Sequence, residues 1–136
     1  MGGIYQSNVP AFDYMAHKLR ADGYEVISPA ELDSPEERAE LIASKDGSAA
    51  ARTWGASLGR DVTIVADQVQ AIVVLPGWRK SRGARLEVFV ALLCNKPVYE
   101  DDYHGTAWYD DYPGPHTKLV PINRVDLVFA IARSFL

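Results

Sequence analysis

The sequence predicts a single α/β domain, an open parallel sheet with helices packed on both faces. Three observations carry that prediction. Short runs suited to strands, Tyr24–Ser28, Gln70–Leu75 and Pro97–Glu100, alternate with helical patterns. The run Gln70–Leu75 (QAIVVL) is apolar after its first residue and is bounded by Pro76 and Gly77, as expected of a strand buried on both faces. The chain has 136 residues, 48% hydrophobic and 24% charged, which is enough for one core and one domain, 1–136.

Each element has its own local reason. Residues 1–8 are Gly-rich and irregular. Asn8 is placed to cap a helix whose first turn holds Val9 and Pro10. Phe12, Met15, Ala16 and Leu19 fall on one face of that helix, and Gly23 stops it. Tyr24–Ser28 reads as a strand ended by Pro29. Ser34-Pro35-Glu36-Glu37 is a capping box with proline at the first helical position, opening a helix to about Ser44. Lys45–Arg52 reads as an exposed loop, and a third helix is expected from Thr53 to Ala66.

After the strand Gln70–Leu75, Ser81 is placed to cap a helix carrying Leu86, Phe89, Val90 and Leu93 as far as Asn95. Pro97–Glu100 follows as a short strand. Residues 100–118 form an acidic, aromatic loop with Tyr103, Trp108, Tyr109 and Tyr112, a lid or a subunit contact. Asn123 is placed to cap a terminal helix within 119–136, whose Val125, Val128, Ala132 and Phe135 make an apolar stripe.

Composition excludes several classes. Fourteen basic against 18 acidic residues leave a net charge of −4, the wrong balance for a duplex nucleic-acid binder. No apolar run approaches the roughly 18–20 residues of a membrane helix, and the N-terminus lacks a signal-peptide layout. These features predict a soluble, cytoplasmic protein. The single Cys94 makes no internal disulfide and is expected in the core. His17, His104 and His116 match no ligand spacing, so no metal is expected. The Gly-rich dinucleotide and phosphate-loop patterns are missing, and no cofactor is expected.

The segment Leu75–Glu87 carries the chemistry. Arg79, Lys80, Arg82 and Arg85 stand against Glu87 alone, and Ser81 lies where a helix start offers unpaired N–H groups to an anion. Gly83 lets a ligand approach the backbone. Glu87 follows Ser81 by six residues and is expected to project toward the same mouth. A capped, solvated surface helix would carry the same residues.

The order Asn8-x-Pro10-Ala11-Phe12, Gly23-x-Glu25-Val26, Pro29-Ala30-Glu31-Leu32, Arg60-Asp61, Leu75-Pro76-Gly77-Trp78 and Ser81-Arg82-Gly83-Ala84-Arg85-Leu86-Glu87 resembles a small family of bacteriophages and bacteria related to nucleoside 2-deoxyribosyltransferases. The likeness covers residues 1–99. It implies a flavodoxin/Rossmann-like sheet and a homo-oligomer with sites near subunit contacts. It implies Glu87 as the nucleophile at the anomeric carbon, Asp61 as an assisting carboxylate, and Ser81 with Gly83 as the sugar or phosphate contact. Gly77, Trp78 and Arg82 border the same loop and complete the expected substrate-binding set, with Trp78 either stacking on a base or covering the loop. The resemblance links a serine at position 81 to 5′-monophosphates, because an aspartate there would repel phosphate.

That reading implies cleavage or transfer at the N-glycosidic bond of a (deoxy)nucleoside 5′-monophosphate. Two alternatives stand beside it: a non-catalytic nucleotide-binding module, and an NAD-cleaving glycohydrolase. The resemblance also implies a strand ahead of Met1-Gly2-Gly3. Its absence would expose a sheet edge and remove one wall of the pocket.

Overall fold

The computed structural model describes residues 5–32, 36, 48–105 and 113–133, with side chains from residue 10 in the first segment and from residue 55 in the third. The expected helix at 34–44 apart from residue 36, the aromatic side chains of Trp108, Tyr109 and Tyr112, and Phe135 lie outside the described residues.

Helix α1 spans Tyr5–Ala21, with Pro10 inside it. Asn8 is therefore a helical residue and not the cap that the sequence suggested. Proline fits helical φ, and at this position it removes only the bond to the carbonyl of residue 6. Gly23, at φ 93°, ends the helix as expected. The Tyr24 N–H donates to the Leu19 carbonyl (3.1 Å) and the Gly23 N–H to the Arg20 carbonyl (3.0 Å), closing the left-handed terminus.

Residues 24–28, of which Ser28 is extended (φ −105°, ψ 124°), form no ladder among the described residues, so the expected strand is not there. A strand exists only with a neighbour, and Tyr24 and Ile27 stay exposed. A single turn of 3-10 helix, Pro29–Glu31, follows. The Arg20 guanidinium grips both Glu31 carboxylate oxygens, at 2.7 and 2.6 Å, tying this turn to α1.

Helix α2 spans Ser48–Asp67, so residues 48–52 are helical where a loop was expected. Three consecutive alanines, Ala49–Ala51, explain the early start, since alanine is the strongest helix former. Strand β1, Ile72–Val74, leads through Gly77 (φ 85°) and a 3-10 turn, Trp78–Lys80, into helix α3, Arg82–Leu93. The Lys96 ammonium donates to the Val65 and Ala66 carbonyls, each at 2.7 Å, and so caps the last turn of α2.

The sheet has three strands in the order β1-β2-β3. Strand β2, Val98–Asp101, runs parallel to β1, with Ile72 opposite Val98 and Val74 opposite Glu100. Strand β3, Leu119–Pro121, runs antiparallel to β2, with Glu100 opposite Val120. The sheet is thus mixed rather than wholly parallel. The sequence reading overlooked β3 because three residues ending in proline carry almost no strand signal. Among the described residues β1 has β2 as its single neighbour, which leaves its other edge open.

Helix α4, Arg124–Ala132, begins as expected: the Val125 N–H donates to Asn123 Oδ1 at 2.7 Å. Its buried face, however, is Leu127, Ala130 and Ile131, while Val125, Val128 and Phe129 are 60%, 56% and 65% exposed. Both stripes have helical spacing, so periodicity alone chose the wrong one. Cys94 is exposed at the end of α3, not in the core as expected. The core joins Val65, Val74, Trp78, Val88, Ala91, Val98, Ile122 and Leu127, with α3 packed between α2 and α4.

Candidate active site in the cavity beside strand β1

The α3 start is built as its sequence demands. Ser81 is extended (φ −98°, ψ 121°), and its Oγ accepts the Ala84 N–H at 3.3 Å. Ser81 and Gly83 are buried, whereas Arg82, Gly77, Arg79 and Lys80 are exposed. Trp78 lies in the core, 4% exposed, with the Arg79 guanidinium 4.7 Å from its ring. The indole Nε1 of Trp78 and the Nε of Arg85 are buried without a hydrogen-bond partner among the described residues.

Glu87 does not share the mouth of this cap. Six residues at about 100° each turn it about 120° from Ser81 around the helix. It lines a cavity of about 840 Å³ instead, within the range of small-molecule sites. Asp61 of α2 lines the same cavity, and Gly77, Trp78, Ser81, Arg82 and Gly83 do not. The structure therefore brings Glu87 and Asp61 together and sets the other five sequence candidates apart. The cavity is walled by α1 (Phe12, Met15), the segment 24–28 (Tyr24, Ile27), Ile64 of α2 and Tyr99 of β2. Lys, Arg and His are absent from its described lining; Glu25, Asp61 and Glu87 are its charged residues.

This setting controls protonation. Burial pushes the Glu87 carboxyl from an ordinary 4.5 up to about 7, and the negative charge of Asp61 adds to the rise. Arg60 opposes both. Its Nε lies 3.0 Å from Asp61 Oδ1, and its Nη2 reaches the Pro29 carbonyl at 3.4 Å. A carboxyl group that titrates near neutrality beside an ion-paired carboxylate can exchange a proton in either direction at physiological pH.

Two other polar clusters escaped the sequence reading. Asp22 accepts hydrogen bonds from the His116 N–H (2.8 Å) and Nδ1 (2.9 Å), the Thr117 N–H (2.7 Å) and the Thr117 hydroxyl. Burial acts to raise this carboxyl, but those donors hold it at about 2. Lys18 is buried against Asp101 at 2.7 Å, with its ammonium 5.1 Å from the Tyr14 ring. The first joins the residue after α1 to the chain beyond β2 and the second joins α1 to the last residue of β2, each across more than eighty residues, a separation that leaves no local signal. Among the described residues no three His, Cys, Asp or Glu side chains gather as a metal site requires. No described helix is long and apolar enough to cross a membrane.

Fold and cavity together define a small α/β protein with paired acidic side chains in an apolar pocket. Residues 1–100 match the family described as Domain of unknown function (DUF4406), and the chain belongs to it. No curated protein and no solved structure matches the chain.

Proposed function

We propose that this protein cleaves or transfers the N-glycosidic bond of a (deoxy)nucleoside 5′-monophosphate, with Glu87 as the reacting carboxylate. The observation that carries the reading is the meeting of Glu87 and Asp61, from two different helices, in one apolar cavity. In its ionised form Glu87 would attack the anomeric carbon: a C–O bond forms, the C–N bond breaks, and its electron pair leaves with the base. Asp61 would orient that base or pass it a proton. Water or a second base then displaces Glu87 and regenerates it.

The phosphate belongs outside the cavity, whose described lining is acidic. The exposed cations Arg79, Lys80 and Arg82 precede Glu87 in the chain but lie outside the lining of its cavity, so contact with a phosphate would need the nucleotide to extend beyond that lining. The resemblance to nucleoside 2-deoxyribosyltransferases supports the same reading, with a flavodoxin-like fold and a homo-oligomer. The exposed apolar side chains Phe89, Leu93, Val125, Val128 and Phe129 are the surface that such an oligomer would cover. A second reading, a nucleotide-binding module without turnover, draws on the same raised titration, because a protonated Glu87 can bind but cannot attack.

The test is base release from a panel of ribo- and deoxyribonucleoside 5′-monophosphates. Release by the wild-type chain and not by Glu87→Gln supports the glycosidase. Nucleotide-dependent thermal stabilisation without release supports the binding module.

A further inference from the structure

Arg60 and Asp61 are sequence neighbours on α2, and neighbours on a helix diverge by about 100°, so their ion pair is not an automatic consequence of spacing. The side chain of Arg60 folds back so that Nε meets Asp61 Oδ1 at 3.0 Å. The outer guanidinium turns the other way, and Nη2 approaches the Pro29 carbonyl at 3.4 Å. Pro29 follows the segment 24–28 and lines the cavity with it, and Asp61 lines the same cavity. One side chain thus touches both Asp61 and the Pro29 end of the cavity wall.

We propose that Arg60 is a positioning residue of this site, holding Asp61 in the cavity beside Glu87 while anchoring the cavity wall at Pro29. The inference rests on reading Glu87 and Asp61 as the reacting pair. It adds a role for a residue that does not itself line the cavity. Tyr24, Glu25 and Tyr99 are the other titratable groups among the described lining residues. None of these is a cation, and among the described residues Arg60, paired with Asp61, is the cation that acts on Glu87. The guanidinium accordingly counters the rise that burial and Asp61 impose on Glu87. The Arg60 and Asp61 side chains are only 30% and 14% exposed, so solvent screens this effect less than it would a surface pair.

Two variants separate charge from geometry. Arg60→Met keeps the bulk of the side chain and removes the charge; Arg60→Lys keeps the charge and loses the planar fork. The Glu87 titration is followed by carbon NMR of labelled glutamate, assigned by its loss in Glu87→Gln. In parallel, kcat and KM for base release are measured against pH. In Arg60→Met the Glu87 midpoint moves up, the pH–rate profile moves with it, and kcat falls about tenfold with KM little changed. In Arg60→Lys the midpoint returns toward wild type while kcat stays low, because a point charge does not orient Asp61. A Glu87 midpoint that is unchanged in a folded Arg60→Met chain overturns the proposal, as does a kcat fully restored by lysine. If the wild-type chain releases no base, the glycosidase reading fails by itself, and the NMR midpoint still decides whether Arg60 acts on Glu87.

Discussion

Glu87→Gln keeps the shape of the side chain in the cavity and removes its titration, so its effect on stability is set by pH. Below pH 4.5 the wild-type acid is neutral in the folded and unfolded chain alike, and the substitution changes little. Between pH 4.5 and about 7 the unfolded chain ionises while the folded chain holds its proton. The unfolded state then binds fewer protons, and native stability falls as pH rises. Integrated over that interval, the wild-type chain loses about 3 kcal/mol, complete above pH 7. Glutamine escapes the loss. The variant should match wild type at pH 4 and exceed it at pH 8 by up to about 3 kcal/mol, or about 10 °C in melting temperature. Urea unfolding of both proteins from pH 4 to 8 measures the difference directly. A difference of zero at every pH, or one that does not grow between pH 4.5 and 7, refutes the claim that burial and Asp61 hold the proton on Glu87.

Asp22 works in the opposite direction. Its carboxyl falls from 3.8 to about 2 on folding, so its contribution is present above pH 3.8 and is lost as pH drops toward 2. Asp22→Asn should therefore cost about 2 kcal/mol at pH 7 and progressively less in acid, read by urea unfolding at pH 7 and pH 3. On the exposed face of α4, Phe129→Ser should leave the melting temperature of the folded chain nearly unchanged. It should also shift sedimentation velocity toward the monomer if that face is the oligomer contact.

The legible parts of the fold are those fixed by chemistry a few residues long. The Gly23 stop, the Ser81 cap and the Asn123 cap each satisfy orphan backbone groups with an adjacent residue, and the structure builds all three. The parallel pairing of β1 with β2 follows from two apolar runs flanking a helix. Elements that depend on a distant partner were not legible. Tyr24–Ser28 has strand composition, yet it finds no ladder partner among the described residues. Strand β3 exists because β2 offers it an edge, not because Leu119–Pro121 has strand character. The apolar face of α4 that is buried was decided by α3, which the sequence of α4 cannot report.

The candidate site divides in the same way. Glu87 and Asp61 were singled out through family resemblance, and the packing of α3 on α2 is what brings them to one cavity. The expectation that Ser81 and Glu87 face one mouth overlooked the helical rotation between them. The cation paired with Asp61 was legible only as a motif letter, since Arg60 acquires its role by reaching Pro29, thirty-one residues away.

The most direct test of Glu87 as the reacting carboxylate is mass spectrometry of the protein quenched in acid during turnover of the preferred nucleotide. A chain heavier by one pentose 5-phosphate, with the added mass on the peptide containing Glu87 and absent in Glu87→Gln, is the result expected. Free base released with the wild-type chain unmodified, and equally by Glu87→Gln, would contradict the account.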